Sequence, residues 1–153
     1  MSESLKPLFV TREARREAAM TRLADARKQC DLAHAACIQA YAEFEQSRQW
    51  HEEVLASCAL GAGQGIRESA LPACEALLQQ RQQLFAQKQI ELRSAHERVV
   101  AERQALMASE RDCLRLQEWQ VLQQSQQKRD LAMQENREDD DQVHRLDARA
   151  GRI

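Results

Sequence analysis

The sequence is poor in the residues that make turns. Its 153 residues include only 4 Gly and 2 Pro, and aromatic residues make up 4%. Compact β and α/β domains need Gly, Pro, Asn and Asp at their turns, so a sandwich, a barrel or a doubly wound sheet is nearly excluded. The chain is instead rich in Ala, Leu, Gln, Glu and Arg, which favour helix. This composition predicts an all-α fold built from one or two very long helices.

An excess of positive charge is also absent. Lys and Arg number 22 against 24 Asp and Glu, for a net charge of −2, whereas dedicated nucleic-acid binders are usually basic. No apolar run approaches the ~20 residues of a membrane span, and residues 1–7 lack the apolar core of a signal peptide. We therefore expect a cytosolic chain that binds no nucleic acid and does not insert into a membrane.

The residue types of catalytic and metal sites occur without the spacing that such sites need. The cysteines form no CxxC pair, which favours reduced thiols that act as small hydrophobic residues: Cys30, Cys37, Cys58, Cys74 and Cys113. His34 could face His96, but no further ligand completes a metal shell. The glycine cluster at 61–65 lacks the Lys and Ser/Thr of a phosphate-binding loop. We expect no enzymatic activity, no cofactor and no metal.

Helix-breaking residues cluster at one place, where GAGQG at 61–65 is followed by Pro72. Gly61 can end a helix in the left-handed conformation. Ser69 is the expected N-cap of the next helix, with Pro72 in its first turn, and Thr11 is the expected N-cap of the first. Within one coiled-coil domain, 1–153, we predict helix one over about 10–60, a bend over 61–71 and helix two over about 72–145.

Apolar residues recur every seven positions in both helices, which is coiled-coil spacing. In helix one the two predicted seam lines are Met20, Arg27, His34, Tyr41, Arg48, Leu55 and Leu23, Cys30, Cys37, Phe44, His51, Cys58. In helix two they are Leu78, Phe85, Leu92, Val99, Leu106, Cys113 and Val100, Met107, Leu114, Val121. Large apolar residues off the seam either pack in a core or face partners: Leu84, Ile90, Leu116, Trp119, Leu122, Tyr41 and Trp50.

A short bend forces two long helices to run antiparallel. The predicted fold is a long antiparallel two-helix coiled-coil hairpin with a C-terminal single-helix extension beyond Gln123. With the bend centred near Ile66, the numbers of facing residues add to about 132. Tyr41 would then meet Leu92, and Met20 would meet Cys113. The acidic run 138–141 is expected to be solvated or frayed.

Basic residues gather toward the end of the predicted hairpin that carries both termini. The start of helix one carries Arg12, Arg15, Arg16, Arg22, Arg27 and Lys28, and helix two carries Arg103, Arg111, Arg115, Lys128 and Arg129 toward the same end. They could present a basic collar to an acidic partner. Alternatively, they form ion pairs along solvated helix faces.

Three segments together resemble a known family. They are RQWHEE at 48–53, QQRQQL at 79–84 and LRLQEWQVLQ at 114–123. In this order, on a chain of this length, they are similar to the stalk proteins of bacterial type III export machines, which are the flagellar FliJ proteins and their YscO-like counterparts in virulence secretion systems. The WHEE portion favours the virulence apparatus.

The resemblance implies a fold, partners and binding residues. Family members are antiparallel two-helix coiled coils without enzymatic activity, located in the cytoplasm and peripheral to the membrane-embedded secretion apparatus. They link a hexameric export ATPase to the cytoplasmic ring of the export gate, and some escort secretion chaperones. On this basis the ATPase end would use Arg12, Arg15, Arg16, Trp119, Lys128 and Arg129, and the export-gate end Tyr41, Phe44, Trp50, Gln83 and Phe85.

Two alternatives to a stalk stay open from the sequence. One is a type III secretion chaperone or a secreted coiled-coil substrate, which would appear in culture medium. The other is a generic dimerising coiled-coil scaffold, in which a second copy would cover the apolar residues outside the seam.

Overall fold

The structure is a computed structural model that describes residues 5–61 and 64–152, apart from the side chains at 64–68. Two α-helices contain nearly all of these residues: α1 is Lys6–Ala59, with 54 residues, and α2 is Gln64–Ala150, with 87. No strand occurs in the described ranges, and the two helices pack against each other. The all-α prediction is confirmed.

Both helices start earlier than predicted. Thr11 lies inside α1, where its Oγ1 donates a hydrogen bond to the Pro7 carbonyl at 2.8 Å instead of capping the helix. Ser69 and Pro72 lie inside α2, so most of the predicted 61–71 bend is helical. The sequence predicts a start at Ser69 with Pro72 in the first turn, and a bend across the glycine cluster before it. A long helix with a packed face can instead include one Gly and one Pro, because each costs only about 1 to 3 kcal/mol.

Gly61 ends the α1 segment as predicted. Its φ is 70°, in the left-handed region, and its N–H donates to the Cys58 carbonyl at 3.2 Å. A side chain in this conformation would cost about 1 to 2 kcal/mol, which explains the glycine.

The chain divides into two compact units. Unit 1 comprises Met1–Arg16 and Ala108–Ile153, and unit 2 is Glu17–Met107. Each unit therefore takes one segment from the α1 part of the chain and one from the α2 part. The core of each is described in turn.

In unit 2, α1 buries one of the two predicted lines. Leu23, Cys30 and Cys37 are buried, which confirms the line that starts at Leu23 over these positions. The Met20 line is wrong, because Met20, Tyr41 and Leu55 are exposed. Its place is taken by a line of small residues that are buried or half-buried: Ala19, Ala26, Ala33, Ala40 and Ser47. Small side chains leave room for close packing of the two helices.

The α2 side of unit 2 follows the same pattern. The line that starts at Leu78 is confirmed here, since Leu78, Phe85, Leu92, Val99 and Leu106 are all half-buried. The second predicted line is wrong, because Val100, Met107, Leu114 and Val121 are all exposed. The second line of the seam is instead small or polar: Cys74, Arg81, Lys88, Ala95 and Glu102, buried or half-buried.

The register of unit 2 also differs from the prediction. Residues later in α1 contact residues earlier in α2: Arg22 pairs with Glu102, Cys30 with His96, Glu43 with Arg81, and His51 with Glu75. Their numbers add to 124 or 126 instead of 132. The cause is that α2 starts early, at Gln64. The centre of the connection between the helices therefore lies at a lower residue number than the predicted centre near Ile66. Tyr41 accordingly contacts Phe85, which corrects the predicted contact with Leu92.

Unit 1 has a small core followed by an exposed helix. Leu5, Cys113 and Leu116 are buried, so Leu116 is a core residue rather than a partner-facing one. Every described residue from Gln124 to Arg152 is exposed. The acidic run 138–141 is helical and exposed, so it is solvated and not frayed. In the parts of the chain that the structure describes, neither helix has a stretch long and apolar enough to cross a bilayer.

Candidate partner-binding surfaces

The residues implied by the family resemblance separate cleanly between the two units. The set assigned to the ATPase lies entirely in unit 1, and the set assigned to the export gate lies entirely in unit 2. Each set is carried by both helices, because each unit combines an α1 segment with an α2 segment.

Arg12 is held by α2 within unit 1. Its Nη1 donates to the Asp112 carbonyl at 3.3 Å and lies 3.6 Å from Asp112 Oδ2. The same residues line a small cavity of about 220 Å³ together with Arg115, Leu116 and Trp119. The charge of Arg12 is thus partly neutralised inside the unit. The indole of Trp119 stays 49% exposed beside it.

Arg15 and Arg16 differ from Arg12 in having no acidic partner. Both are exposed, and neither forms an ion pair with any residue that the structure describes. An unpaired, solvated guanidinium can bind a carboxylate of another protein without first breaking an internal contact. These two arginines are therefore available cations of the predicted collar, unlike Arg12.

Lys128 and Arg129 lie on the exposed part of α2. They line a shallow groove of about 420 Å³ along that helix, together with Val121, Gln124, Ser125 and Ala132. The groove combines two cations with a mixed apolar and amide floor. It can accept an acidic, amphipathic surface.

Three aromatic rings of the unit 2 set form one cluster. Phe85 lies 5.3 Å from Tyr41 with the rings tilted by 53°, and 6.1 Å from Phe44 with the rings nearly parallel at 9°. Phe44 and Phe85 are half-buried in the seam, whereas Tyr41 is 49% exposed. The cluster joins the two helices, and Tyr41 is the ring that a partner could reach.

Trp50 lies beside an interhelical ion pair. It lines a groove of about 240 Å³ with Glu43, Gln46, Ser47, Leu77 and Arg81, and 41% of it is exposed. Glu43 and Arg81 form a hydrogen-bonded ion pair between the helices. Gln83 is exposed further along α2. The Trp50 groove therefore offers an aromatic edge next to polar groups, a composition that is enriched at protein interfaces, and Gln83 does not line it.

Two shifted pKa values arise from neighbours one turn away on the same helix. A hydrogen bond to Glu45, helped by the charges of Glu45 and Glu52, raises the pKa of Arg48. A hydrogen bond from Lys88 lowers the pKa of Glu91. Both effects belong to pairs on exposed helix surfaces.

The histidines are arranged differently from the prediction. His96 contacts Cys30, with Nδ1 and Sγ 3.4 Å apart, while His34 is exposed. His51 Nε2 lies 3.9 Å from Glu75 Oε1 and has no hydrogen-bond partner in the described part of the chain. Among residues 5–61 and 64–152, no three His, Cys, Asp or Glu side chains are grouped as a metal would require.

One groove of unit 2 was missed by the sequence reasoning. It measures about 670 Å³ and is lined by Cys37, Gln89, Leu92, Arg93, His96, Glu97 and Val100. A signal existed, because α2 carries a second set of positions at alternating three- and four-residue steps that includes Arg93, Glu97 and Val100. This set includes polar residues, so a search for apolar repeats does not detect it.

Comparison with known proteins returned no match to any family model, curated protein or solved structure.

Proposed function

We propose that this chain is the central stalk of a bacterial type III secretion system, which binds the hexameric export ATPase and links it to the export gate. Its fold is an antiparallel coiled-coil hairpin with a C-terminal single-helix extension. Two observations support this fold. Interhelical partners run in opposite directions along α1 and α2, and buried positions follow three- and four-residue steps.

The observation that carries the proposal is the uncovered helix of unit 1. From Gln124 to its end at Ala150, α2 is exposed at every residue. Helices in water draw most of their stability from packing against other elements, so a helix of this length is suited to insertion into a partner. Lys128 and Arg129 lie on it, and Arg15, Arg16 and Trp119 are exposed in the same unit. A ring-shaped ATPase with an acidic, partly apolar pore would match the part of this surface that carries the four cations and Trp119, and not the acidic run at 138–141.

Unit 2 supplies the second contact of the stalk. Tyr41, Trp50 and Gln83 face the cytoplasmic ring of the export gate, while Phe44 and Phe85 hold Tyr41 in place. The stalk has no activity of its own, acts in the cytoplasm at the periphery of the membrane-embedded apparatus, and also receives secretion chaperones.

Charge reversal tests the ATPase contact. Arg15→Glu with Arg16→Glu should leave the helix content unchanged. It should raise the dissociation constant for the export ATPase at least about tenfold, because like charges would face the acidic pore. The matched control is Arg27→Glu with Lys28→Glu. It makes the same charge change at two exposed cations of the predicted collar that lie in unit 2, outside the set assigned to the ATPase. Equal binding by both variants would contradict the assignment.

The two tryptophans are reciprocal controls for the two contacts. Trp119→Ala should weaken binding to the ATPase and spare binding to the gate ring, whereas Trp50→Ala should do the reverse. Each removes an indole that is between two fifths and one half exposed, so the cost in folding is similar. If neither variant changes either contact and the protein appears in culture medium, the secreted-substrate alternative is favoured.

A further inference from the structure

The side of α2 next to the unit 2 groove carries a second heptad pattern. Its positions alternate at four- and three-residue steps, and all are exposed: Ala86, Ile90, Arg93, Glu97, Val100 and Gln104. We call these residues the outer face of α2. The same spacing continues to Gln83 and Met107, so the pattern covers 25 residues, or about 37 Å of helix. This is coiled-coil spacing on a face that no described helix covers.

The outer face of one α2 is complementary in charge and polarity to the outer face of a second α2 that runs in the opposite direction. If two copies of α2 run antiparallel with their axis of symmetry near Ala95, Arg93 of one copy meets Glu97 of the other, and the same ion pair forms twice. Ile90 then meets Val100, again twice, and Ala86 meets Gln104. No pair of like charges is created along this face. A two-fold interface requires this kind of self-complementary pattern.

The charges at the centre of the face are available for such a pairing. Arg93 and Glu97 are exposed, and neither is engaged in an ion pair within the described residues. They lie four residues apart on one helix, but the order Arg before Glu is the less favourable one for an internal pair. The two apolar residues that flank them are well exposed, Ile90 at 69% and Val100 at 55%.

Because the core of unit 2 is small, burying further apolar surface would add to its stability. Most of its buried residues are Ala, Cys or Ser, and its largest fully buried side chain is that of Cys74. Apolar burial contributes about 25 cal/mol per Å², so a seam of small residues gives a modest stabilisation. The 670 Å³ groove between Cys37 and Val100 adjoins the outer face and adds contact area beside it.

We propose that unit 2 dimerises through the outer face of α2, with the α2 helices of two copies antiparallel and the Arg93–Glu97 pair formed twice across the two-fold axis. This surface is separate from the residues assigned to the ATPase in unit 1. The dimer and the ATPase contact can therefore fail separately. Of the residues assigned to the export gate, only Gln83 lies on this pattern, at its end.

The first test is the mass of the full chain measured by light scattering across a concentration series. We expect about 35 kDa at about 100 µM, twice the 17.6 kDa of one chain. Val100→Asp should raise the dissociation constant at least about 100-fold, because it places two unpaired carboxylates in the interface. The matched control is Val143→Asp, since Val143 is 56% exposed on the same helix but outside unit 2. It should leave the dimer unchanged.

A charge swap tests the symmetry directly. Arg93→Glu and Glu97→Arg should each weaken the dimer about tenfold, because like charges would meet twice. The double variant should restore it, since the pair re-forms with its signs exchanged. Circular dichroism must show equal helix content in all three. A chain that stays monomeric at about 100 µM, a dimer insensitive to Val100→Asp, or a double variant that fails to recover would overturn the proposal. A monomer would assign the face to a helix of another protein.

Discussion

Cys30 Sγ lies 3.4 Å from His96 Nδ1, and this contact is one of several that share the same alignment of the two helices in unit 2. Cys30 belongs to the buried line of α1, and His96 follows the half-buried Ala95 of α2. The same alignment brings Phe85 against Tyr41 and Glu43 against Arg81.

Leu23 should be the most costly leucine of α1 to truncate. It is 6% exposed in the seam, so Leu23→Ala should lower the free energy of unfolding by about 2 to 5 kcal/mol. Leu32→Ala is the matched control on the same helix, because Leu32 is 63% exposed, and it should change stability by less than about 0.5 kcal/mol. Urea unfolding followed by circular dichroism measures both. Equal losses would show that the seam is assigned to the wrong face.

Replacing a seam alanine by a larger residue should lower the stability of the protein. Ala26 is buried between α1 and α2, so Ala26→Leu should destabilise the protein by about 1 to 3 kcal/mol through overpacking. Ala24→Leu changes an exposed alanine two positions away and should be close to neutral. The melting temperatures of the two variants give the comparison. A stabilising Ala26→Leu would mean that the helices are farther apart than the structure has them.

The Glu43–Arg81 pair should show a measurable coupling energy. Both side chains are about one third exposed, so solvent screens the pair, and a double-mutant cycle with Glu43→Gln and Arg81→Gln should give about 0.5 to 1 kcal/mol. A second cycle on Arg48 and Glu52, which are more exposed and lie on one helix, should give a smaller coupling energy, because solvent screens exposed pairs more strongly. Coupling near zero for Glu43 and Arg81 would argue against their contact.

The cysteines should differ in reactivity. Burial raises the pKa of the Cys74 thiol, so less of it is thiolate at any given pH, and the folded protein shields it as well. Cys58 is only half-buried and should react fastest with iodoacetamide. As the pH is raised, Cys74 should be the last cysteine to react. Because the pKa of Cys74 is raised by folding, the stability of the folded protein should also fall as the pH rises through that pKa. Peptide mapping after timed labelling gives the order, and early modification of Cys74 in folded protein would contradict its burial.

The sequence predicted the fold class and half of the seam, and the errors have physical causes. The lines that start at Leu23 and Leu78 were found because large apolar residues mark them. The line of Ala26 and Ala40 was not predicted, because the seam was assigned from large apolar residues. Met20 and Tyr41 are large but exposed, whereas the small Ala26 and Ala40 are buried. Register could not be predicted, because it depends on where α2 starts, and Gln64 carries no cap signal. The partner-binding residues were proposed from family resemblance, which assigns roles but not contacts.

ATP hydrolysis by the export ATPase of the source organism, measured with and without this protein, tests the stalk assignment most directly. We predict that the wild-type chain co-elutes with the ATPase hexamer and stimulates hydrolysis. The variant with Arg15→Glu and Arg16→Glu should stimulate much less, and the variant with Arg27→Glu and Lys28→Glu should match the wild type. Unchanged hydrolysis together with no co-elution would contradict the account.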